Sequence, residues 1–316
     1  MERTDFFISC DWGTSNFRLR LVEKSTLRVR AYRSTDRGIR DLNEEFLRSA
    51  ESDRFEFYGT YLQRQTDLLA EARPSYPIVI SGMASANIGM LELPYGELPI
   101  ERSGRILVSQ QRELPTGQAI VLISGVKSTR GIMRGEETQA LGMLDELDSE
   151  ADGVILLPGT HSKHLLCEGD MVTDFRSYMT GELFGLLRTH SILAHSVREG
   201  EWNAVTQDAY LYGVRCGYRE GMAASLFDIR AGHILRNTDP VDNYYHLSGL
   251  LIGAELRGLG DNTNHKFWLA ASGPLLVLYR TALTALYGAD RLEVMDDRQI
   301  ERALLRGQRQ ILSTYD

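Results

Sequence analysis

The sequence predicts an α/β protein of two similar lobes with mixed sheets, facing each other across a cleft. Three observations carry that prediction. A hairpin with period-two alternation on both arms, Phe6 to Asp11 and Phe17 to Val22, closes over the turn Asp11-Trp-Gly-Thr-Ser-Asn16. The pattern returns about half a chain later, as the apolar Val154-Ile-Leu-Leu157, the turn Pro158-Gly-Thr-His-Ser-Lys163 and the apolar His164-Leu-Leu-Cys167. Each copy opens a longer repeat of three strands joined by hairpins, followed by helix and strand. The inferred lobes span 1–128 and 129–316.

The turns are unusual for hairpin tips. Asp11 places a carboxylate at the end of a strand, and Gly13, Thr14, Ser15 and Asn16 follow it with small side chains. Successive backbone N–H groups in such a turn can converge on phosphate oxygens, and the carboxylate beside them can hold hydrated Mg²⁺. An ordinary solvated turn with an Asx contact is the alternative for either copy taken alone. Gly159, Thr160, His161, Ser162 and Lys163 form the second copy, so one nucleotide could be gripped from both sides.

A chain of 316 residues, 43% hydrophobic and 25% charged, has the composition of a soluble globular protein with room for two cores. The net charge of -8 gives no general attraction for nucleic acid or an anionic membrane, so an anionic substrate needs a local positive pocket. Cys10, Cys167 and Cys216 sit in apolar or helical runs and read as reduced thiols, which favours a cytoplasmic location. No signal-like segment is visible, and no apolar run approaches the roughly 20 residues of a membrane span.

In order, residues 5–34 read as three strands, and about 42–72 as a helical stretch ended by Pro74 and Pro77. Pro77-Ile-Val-Ile-Ser81 is a buried strand leading into Gly82-Met-Ala-Ser-Ala-Asn87, the kind of strand end where α/β sheets place ligand loops. Residues 91–118 read as loop with short strands, and Ala119-Ile-Val-Leu-Ile123 as a buried strand. Ser124 to Gly131 is taken as the crossing between lobes, and a helix begins in Met133-Arg-Gly-Glu-Glu-Thr-Gln139. A charged linker, Asp148 to Gly153, leads to the second hairpin. Met171 to Tyr178 is its third strand, and Thr180 is expected to cap the next helix. The rest is mainly helical: one long helix from Asp208 to about Leu226 and another capped by Ser248. Lys266 to Ala271 and Arg291 to Met295 are strands. Ser272 caps a helix with Pro274 in its first turn, and Asp297 opens the last.

Phosphoryl transfer asks for an in-line triphosphate, charge-spreading Mg²⁺ and a base near the attacking hydroxyl. Positioning can supply several kcal/mol, and aimed donors about 3 kcal/mol each. Asp11 is the metal-side carboxylate and Lys163 a cation beside the second turn. Glu136 and Glu137, at a helix start that favours negative charge, are the two candidates for the base. Ser272-Gly273-Pro274 after a strand lets the backbone approach a flat ring such as adenine, or is a plain strand-to-helix cap. His161 and His164 lie three apart in a hairpin, point to opposite faces and make a poor metal pair. No GxSxG, GxxxxGK[ST] or GxGxxG is present, against a hydrolase, a P-loop enzyme and a dinucleotide oxidoreductase.

Asp11-Trp-Gly-Thr-Ser-Asn16 resembles the first phosphate motif of the actin, sugar-kinase and heat-shock ATPase superfamily. The whole chain more narrowly resembles the 2-dehydro-3-deoxygalactonokinase family. The segments that carry this are Met133-Arg-Gly-Glu-Glu-Thr-Gln139, Leu157-Pro-Gly-Thr-His-Ser-Lys163, Tyr178-Met-Thr-Gly-Glu-Leu-Phe184, His190-Ser-Ile-Leu193, Leu247-Ser-Gly-Leu-Leu-Ile-Gly253 and the short Ser81-Gly-Met83. The resemblance implies two ribonuclease H-like lobes of the actin-like ATPase fold. It also implies an ATP- and Mg²⁺-dependent kinase that places phosphate on the 6-hydroxyl of 2-dehydro-3-deoxy-D-galactonate in galactonate breakdown. The motif order of related sugar kinases places the base at Glu136, where Asp is usual. His164 stands where an aromatic such as Trp is expected.

A carboxylate substrate needs a cation, and Arg134 and Arg176 are the candidates, with Ser81 and Gly82 nearby. Neither nucleic acid nor membrane is an expected partner; a homodimer is compatible with the sequence. Two other readings stay open: a kinase of another sugar or keto-deoxy acid, and a non-catalytic nucleotide- or sugar-sensing module on the same scaffold.

Overall fold

The computed structural model describes residues 4–147, 152–260 and 265–315, so residues 148–151 of the expected charged linker lie outside the described residues. The chain forms two compact units. One contains residues 1–150, 168–175 and 298–316, and the other 151–167 and 176–297.

The first unit opens with the expected hairpin. β1 (Phe6–Trp12) and β2 (Phe17–Glu23) pair antiparallel, with Asp11 opposite Arg18 and Trp12 opposite Phe17. β3 (Val29–Thr35) extends the sheet on β2. The single helical stretch expected next is two helices, α1 (Ile39–Arg48) and α2 (Arg54–Asp67). They separate because Asp53 takes an extended backbone and its carboxylate accepts the Glu56 N–H (3.1 Å), a side-chain cap that starts a new helix. β4 (Ile78–Gly82) then lies parallel to β1, wholly buried as its unbroken apolar run requires.

Three short strands follow, β5 (Gly96–Glu97), β6 (Ile100–Glu101) and β7 (Ser109–Glu113), and then β8 (Ala119–Ile123). The main sheet has the order β3-β2-β1-β4-β8-β7. Residues 124–131, read from sequence as a crossing, contribute β9 (Val126–Lys127) to a small sheet with β5 and β10 (Ile132–Met133) in this first unit. α3 (Glu136–Leu144) follows.

The second unit repeats the plan. β11 (Gly153–Leu157) and β12 (Ser162–Glu168) form the second hairpin, Leu157 opposite Lys163. β13 (Met171–Tyr178) is the third strand; its Met171 and Val172 pair with Glu101 and Ile100 in the first unit, while its end from Arg176 belongs to the second. α4 (Thr180–His190) follows, with Met179 at the cap position, so Thr180 is the first helical residue and not the expected cap.

The long helix expected from Asp208 is two, α5 (Ala204–Glu220) and α6 (Met222–Arg236), interrupted at Gly221. α7 (Pro240–Leu256) runs through Ser248; its cap is Asp239, whose carboxylate accepts the Val241 N–H (2.7 Å), with proline in the first turn. β14 (Lys266–Ala270), α8 (Gly273–Tyr287) and β15 (Leu292–Met295) complete the unit. Here the order β13-β12-β11-β14-β15 matches β3-β2-β1-β4-β8 strand for strand.

The last helix, α9 (Asp297–Leu312), belongs from Arg298 onward to the first unit. Gln308 Nε2 donates to the Cys10 carbonyl (3.1 Å) and to Ser81 Oγ (2.9 Å), and Arg20 Nε donates to Glu301 (2.7 Å). The core of this unit gathers Ile8, Cys10, Trp12, Leu19, Ile78 and Ile80 from the sheet with Ile39, Leu42, Tyr58 and Leu62 from α1 and α2. Each such side chain contributes about 1.5–3 kcal/mol by leaving water. The second unit has its own core, where Leu156, Phe267 and Leu269 meet Tyr210, Val214, Leu256 and Tyr279. Among the described residues, no helix is long and apolar enough to cross a membrane.

Candidate active site

The first turn is held in place from beneath and from the side. Trp12, fully buried, is wedged between Phe17, Tyr58 and Tyr61 at ring separations of 4.9, 5.8 and 5.7 Å. The Gly13 N–H donates to the Asn16 carbonyl (2.9 Å) and closes the turn. At its side, the start of α1 donates the Ile39 N–H to the Gly13 carbonyl (3.0 Å) and the Arg40 N–H to the Thr14 carbonyl (3.1 Å). Trans peptide units point N–H and C=O in opposite directions. With both carbonyls turned to α1, the N–H groups of Thr14 and Ser15 point away from it together, a concavity suited to an anion. The approach is so close that a Cβ on Gly38 would sit 2.2 Å from the Thr14 carbonyl oxygen. Asp11, beside the turn and partly exposed, accepts from Arg18 Nη1 (3.0 Å).

Sheet register gathers more of the expected residues here. Asp11 lies opposite Ser81 and Trp12 opposite Gly82 in the parallel β1-β4 pair. Gly135, at the start of α3, backs onto Gly82, whose Cα would be 3.3 Å from a Cβ added there. Ser81 is buried and accepts from Gln308. The two glutamates differ sharply. Glu137 is fully buried; one oxygen accepts the Gly135 N–H (2.6 Å) and the other the Thr138 hydroxyl (3.0 Å). Burial, with the Glu136 charge adding to it, pushes its carboxyl up to about 8. Glu136 is half-buried, and its Oε2 accepts the Arg134 N–H (3.1 Å). The Arg134 guanidinium turns to the ends of the buried strands. Its Nη1 donates to the Ser85 carbonyl (2.7 Å) and hydroxyl (2.6 Å), and the group stacks 4.2 Å over the Tyr95 ring.

The second turn has the same support. The Glu182 N–H, in the first turn of α4, donates to the Thr160 carbonyl (3.0 Å), which turns the His161 N–H away from the helix. Gly181 stands where Gly38 stands in the first unit; a Cβ there would be 2.5 Å from the Gly159 carbonyl oxygen. Gly159 faces open space. His161 is exposed and bonds Glu182 through Nε2 (2.5 Å), whereas His164 is buried and bonds Glu255 (2.8 Å), so the two histidines serve different places. Lys163, expected as a cation beside the second turn, is buried, its Nζ donating to the His161 carbonyl (3.0 Å). Ser162 is buried against the Tyr279 hydroxyl (3.0 Å).

A largely apolar pocket of about 150 Å³ opens beside this turn. Gly159 and Gly181 line it on the turn side, Phe184 and Tyr244 on another, and Pro274 and Leu275 from the start of α8 on a third. Ser272 is the cap position of α8 without a side-chain bond, and Gly273 follows it, exposed. Arg176 is exposed on β13, next to the Tyr178 hydroxyl, whose pKa burial raises and the Arg176 charge only partly offsets. It belongs to the second unit, while Arg134, Ser81 and Gly82 belong to the first.

Sequence reading missed four supports. Glu255 on α7 and Tyr279 on α8 were absorbed into apolar helical patterns, although a carboxylate in the otherwise hydrophobic Leu247 to Leu256 run was a visible signal. Gln308 reaches the first hairpin from the far end of the chain, a contact no local pattern announces. Trp12 lay within the quoted turn, but its role as an anchor shows only in the packing.

Two units of the same strand order, each presenting a braced, N–H-lined hairpin turn, define the class: a phosphotransferase of the sugar-kinase type on a duplicated α/β fold. The chain belongs to the 2-keto-3-deoxy-galactonokinase family, which it matches over residues 11–309. It is 33% identical over 291 residues, 90% of each chain, to a protein of Rhizobium meliloti (strain 1021) named a probable 2-dehydro-3-deoxygalactonokinase. It is 29% identical over 307 residues to the 2-dehydro-3-deoxygalactonokinase of Escherichia coli (strain K12), covering 94% of this chain and 96% of that one. A Sinorhizobium meliloti crystal structure, provisionally designated a 2-dehydro-3-deoxygalactonokinase, superposes with a TM-score of 0.81 at 31% identity. The match covers 97% of this chain and 99% of that one.

Proposed function

We propose that this protein transfers the γ-phosphate of ATP to the 6-hydroxyl of 2-dehydro-3-deoxy-D-galactonate, with Mg²⁺, in the breakdown of galactonate. Membership of the family supports the reaction. The observation that carries the reading is the pair of turns whose carbonyls are tied back to a helix start, leaving N–H groups turned outward as phosphate donors. In this reading the outward N–H groups of the Gly13 to Asn16 and Gly159 to His161 turns bind phosphate oxygens, and the buried Ser162 and Lys163 brace the second turn from behind. The apolar pocket beside Gly159, with Pro274 lining it just after Ser272 and Gly273, takes the adenine; its apolar and aromatic lining suits a flat ring.

Asp11 fits a magnesium ion: it is a single accessible carboxylate beside a phosphate turn, and this ion takes one or two carboxylates, phosphate oxygens and water. Magnesium, when bound, neutralises charge on the transferring phosphates. Glu136 is the base. Of the two adjacent carboxylates it is the one with access to solvent, whereas Glu137 is sealed, has both oxygens engaged and keeps its proton to about pH 8. Glu136 accepts the proton of the attacking hydroxyl as the phosphate is captured, and Glu137 holds the loop at Gly135. Arg134 meets the substrate carboxylate. Its Nη1 is fixed by Ser85 and its plane by Tyr95, and among the described residues no carboxylate pairs with it, so its charge is available to an acid. Arg176 is the weaker choice, because it is exposed and its charge is spent in part on the Tyr178 hydroxyl.

A coupled assay tests this directly. ATP consumption should depend on the keto-deoxy acid, and NMR of the product should place phosphorus on C6. Slow ATP hydrolysis indifferent to the acid would favour a nucleotide-sensing module, and turnover with a neutral sugar alone would favour a different kinase.

A further inference from the structure

Glu255 is placed where a carboxylate is least welcome. It lies in the last turn of α7, where unpaired helix carbonyls concentrate negative charge, and it is 3% exposed. A buried charge costs more than a well-packed apolar residue of the same size unless donors surround it. Here they do. His164 Nε2 donates to Oε1 (2.8 Å), the Tyr279 hydroxyl donates to Oε2 (2.8 Å), and the Thr180 hydroxyl donates to the same oxygen. The single proton of Tyr279 is committed to Glu255, so in the contact between Ser162 and Tyr279 (3.0 Å) it is Ser162 that donates.

The partners come from different elements that meet at one place. Ser162 and His164 are on β12, immediately after the second turn; Thr180 is the first residue of α4; Tyr279 is on α8. Thr180 and Tyr279 also line the pocket beside Gly159. The two residues after Thr180 are Gly181, packed on the Gly159 carbonyl, and Glu182, whose N–H holds the Thr160 carbonyl. One carboxylate therefore fixes the turn, the helix start that braces it and the helix that closes the pocket.

We propose that Glu255 is a positioning residue for the nucleotide: it locks the second hairpin, α4 and α8 into the arrangement that shapes the pocket. This rests on the reading of that pocket as the nucleotide's. Glu255 is buried, engaged by its donors and not part of the pocket lining, so its removal should weaken nucleotide binding in ground state and transition state alike.

In the full-length enzyme, Glu255→Gln puts an amide N–H₂ where one acceptor oxygen was. The expected result is a KM for ATP raised by about tenfold or more, kcat changed by less than about threefold, and a KM for the sugar acid within about twofold. Glu255→Asp, still a carboxylate, should recover part of the loss. Tyr279→Phe and Thr180→Val each remove one donor and should raise the ATP KM in the same direction by less. A Glu255 that only stabilises the fold would lower the unfolding temperature and leave the ATP KM within about twofold, and that outcome overturns the proposal. Should Glu255→Gln not fold, Tyr279→Phe and Thr180→Val decide by the same criterion. Unaltered enzyme that shows no ATP-saturable turnover would instead sink the nucleotide reading itself.

Discussion

Three carboxylates of similar sequence prominence have different physical lives. Asp11 is partly exposed and paired with a partly exposed arginine, a contact worth below about 1 kcal/mol to stability. Asp11→Asn should therefore keep its unfolding temperature nearly unchanged while kcat drops by at least about 100-fold; normal turnover would remove Asp11 from the metal site. Glu136→Gln should likewise lower kcat with little change in ATP KM. Glu137 acts on the fold. Its carboxyl is raised from 4.5 to about 8 in the folded protein, so folding favours the protonated form. Stability from this group is complete below about pH 4.5 and is lost as pH rises towards 8, by up to about 1.4 kcal/mol per pH unit. Glu137→Gln, neutral at every pH, should flatten that decline. Denaturant midpoints between pH 5 and 8, with wild type and variant falling in parallel, would show that the group does not titrate there.

At the scale of elements, strands were legible and helix boundaries only in part: α8 follows Ser272 and α9 opens at Asp297 as expected. β8 falls on its apolar run, Ala119 to Ile123, and β4 and β14 fall within a residue of theirs, because buried strands are short and flanked by turn residues. The helices split or ran on where capping overruled the apolar pattern: Asp53 begins α2, Gly221 separates α5 from α6, and Asp239 begins α7 well before Ser248. The braces under the two turns are also element-scale facts. Gly38→Ala would force a methyl to 2.2 Å from the Thr14 carbonyl oxygen, and Gly181→Ala to 2.5 Å from that of Gly159. Each must push a hairpin off its helix, at a cost of about 1–3 kcal/mol, and should raise the ATP KM more than the KM for the sugar acid. Unchanged nucleotide KM in both variants would mean the turns bind no phosphate.

For the whole molecule, chain order and spatial grouping disagree at the C-terminus. From Arg298 on, α9 buries Ala303, Leu305, Ile311 and Leu312 in the first unit and plugs Gln308 between β1 and β4. A chain truncated after Asp297 should fail to yield folded first unit, seen as aggregation or loss of near-UV circular dichroism; a folded, soluble product would show that the helix is dispensable. The sequence by itself determined the α/β class and the two hairpins, because alternation and small-residue turns are local properties written within a few residues, and its quoted motifs already resembled the kinase family that the whole chain matches. The tertiary structure alone decided which of two adjacent glutamates is sealed from water, where Arg134 is held, that a buried Glu255 ties three elements together, and that the last helix returns to the first. Burial depends on partners tens to hundreds of residues away, even at Glu137, whose hydrogen bonds are local, and no local pattern encodes it.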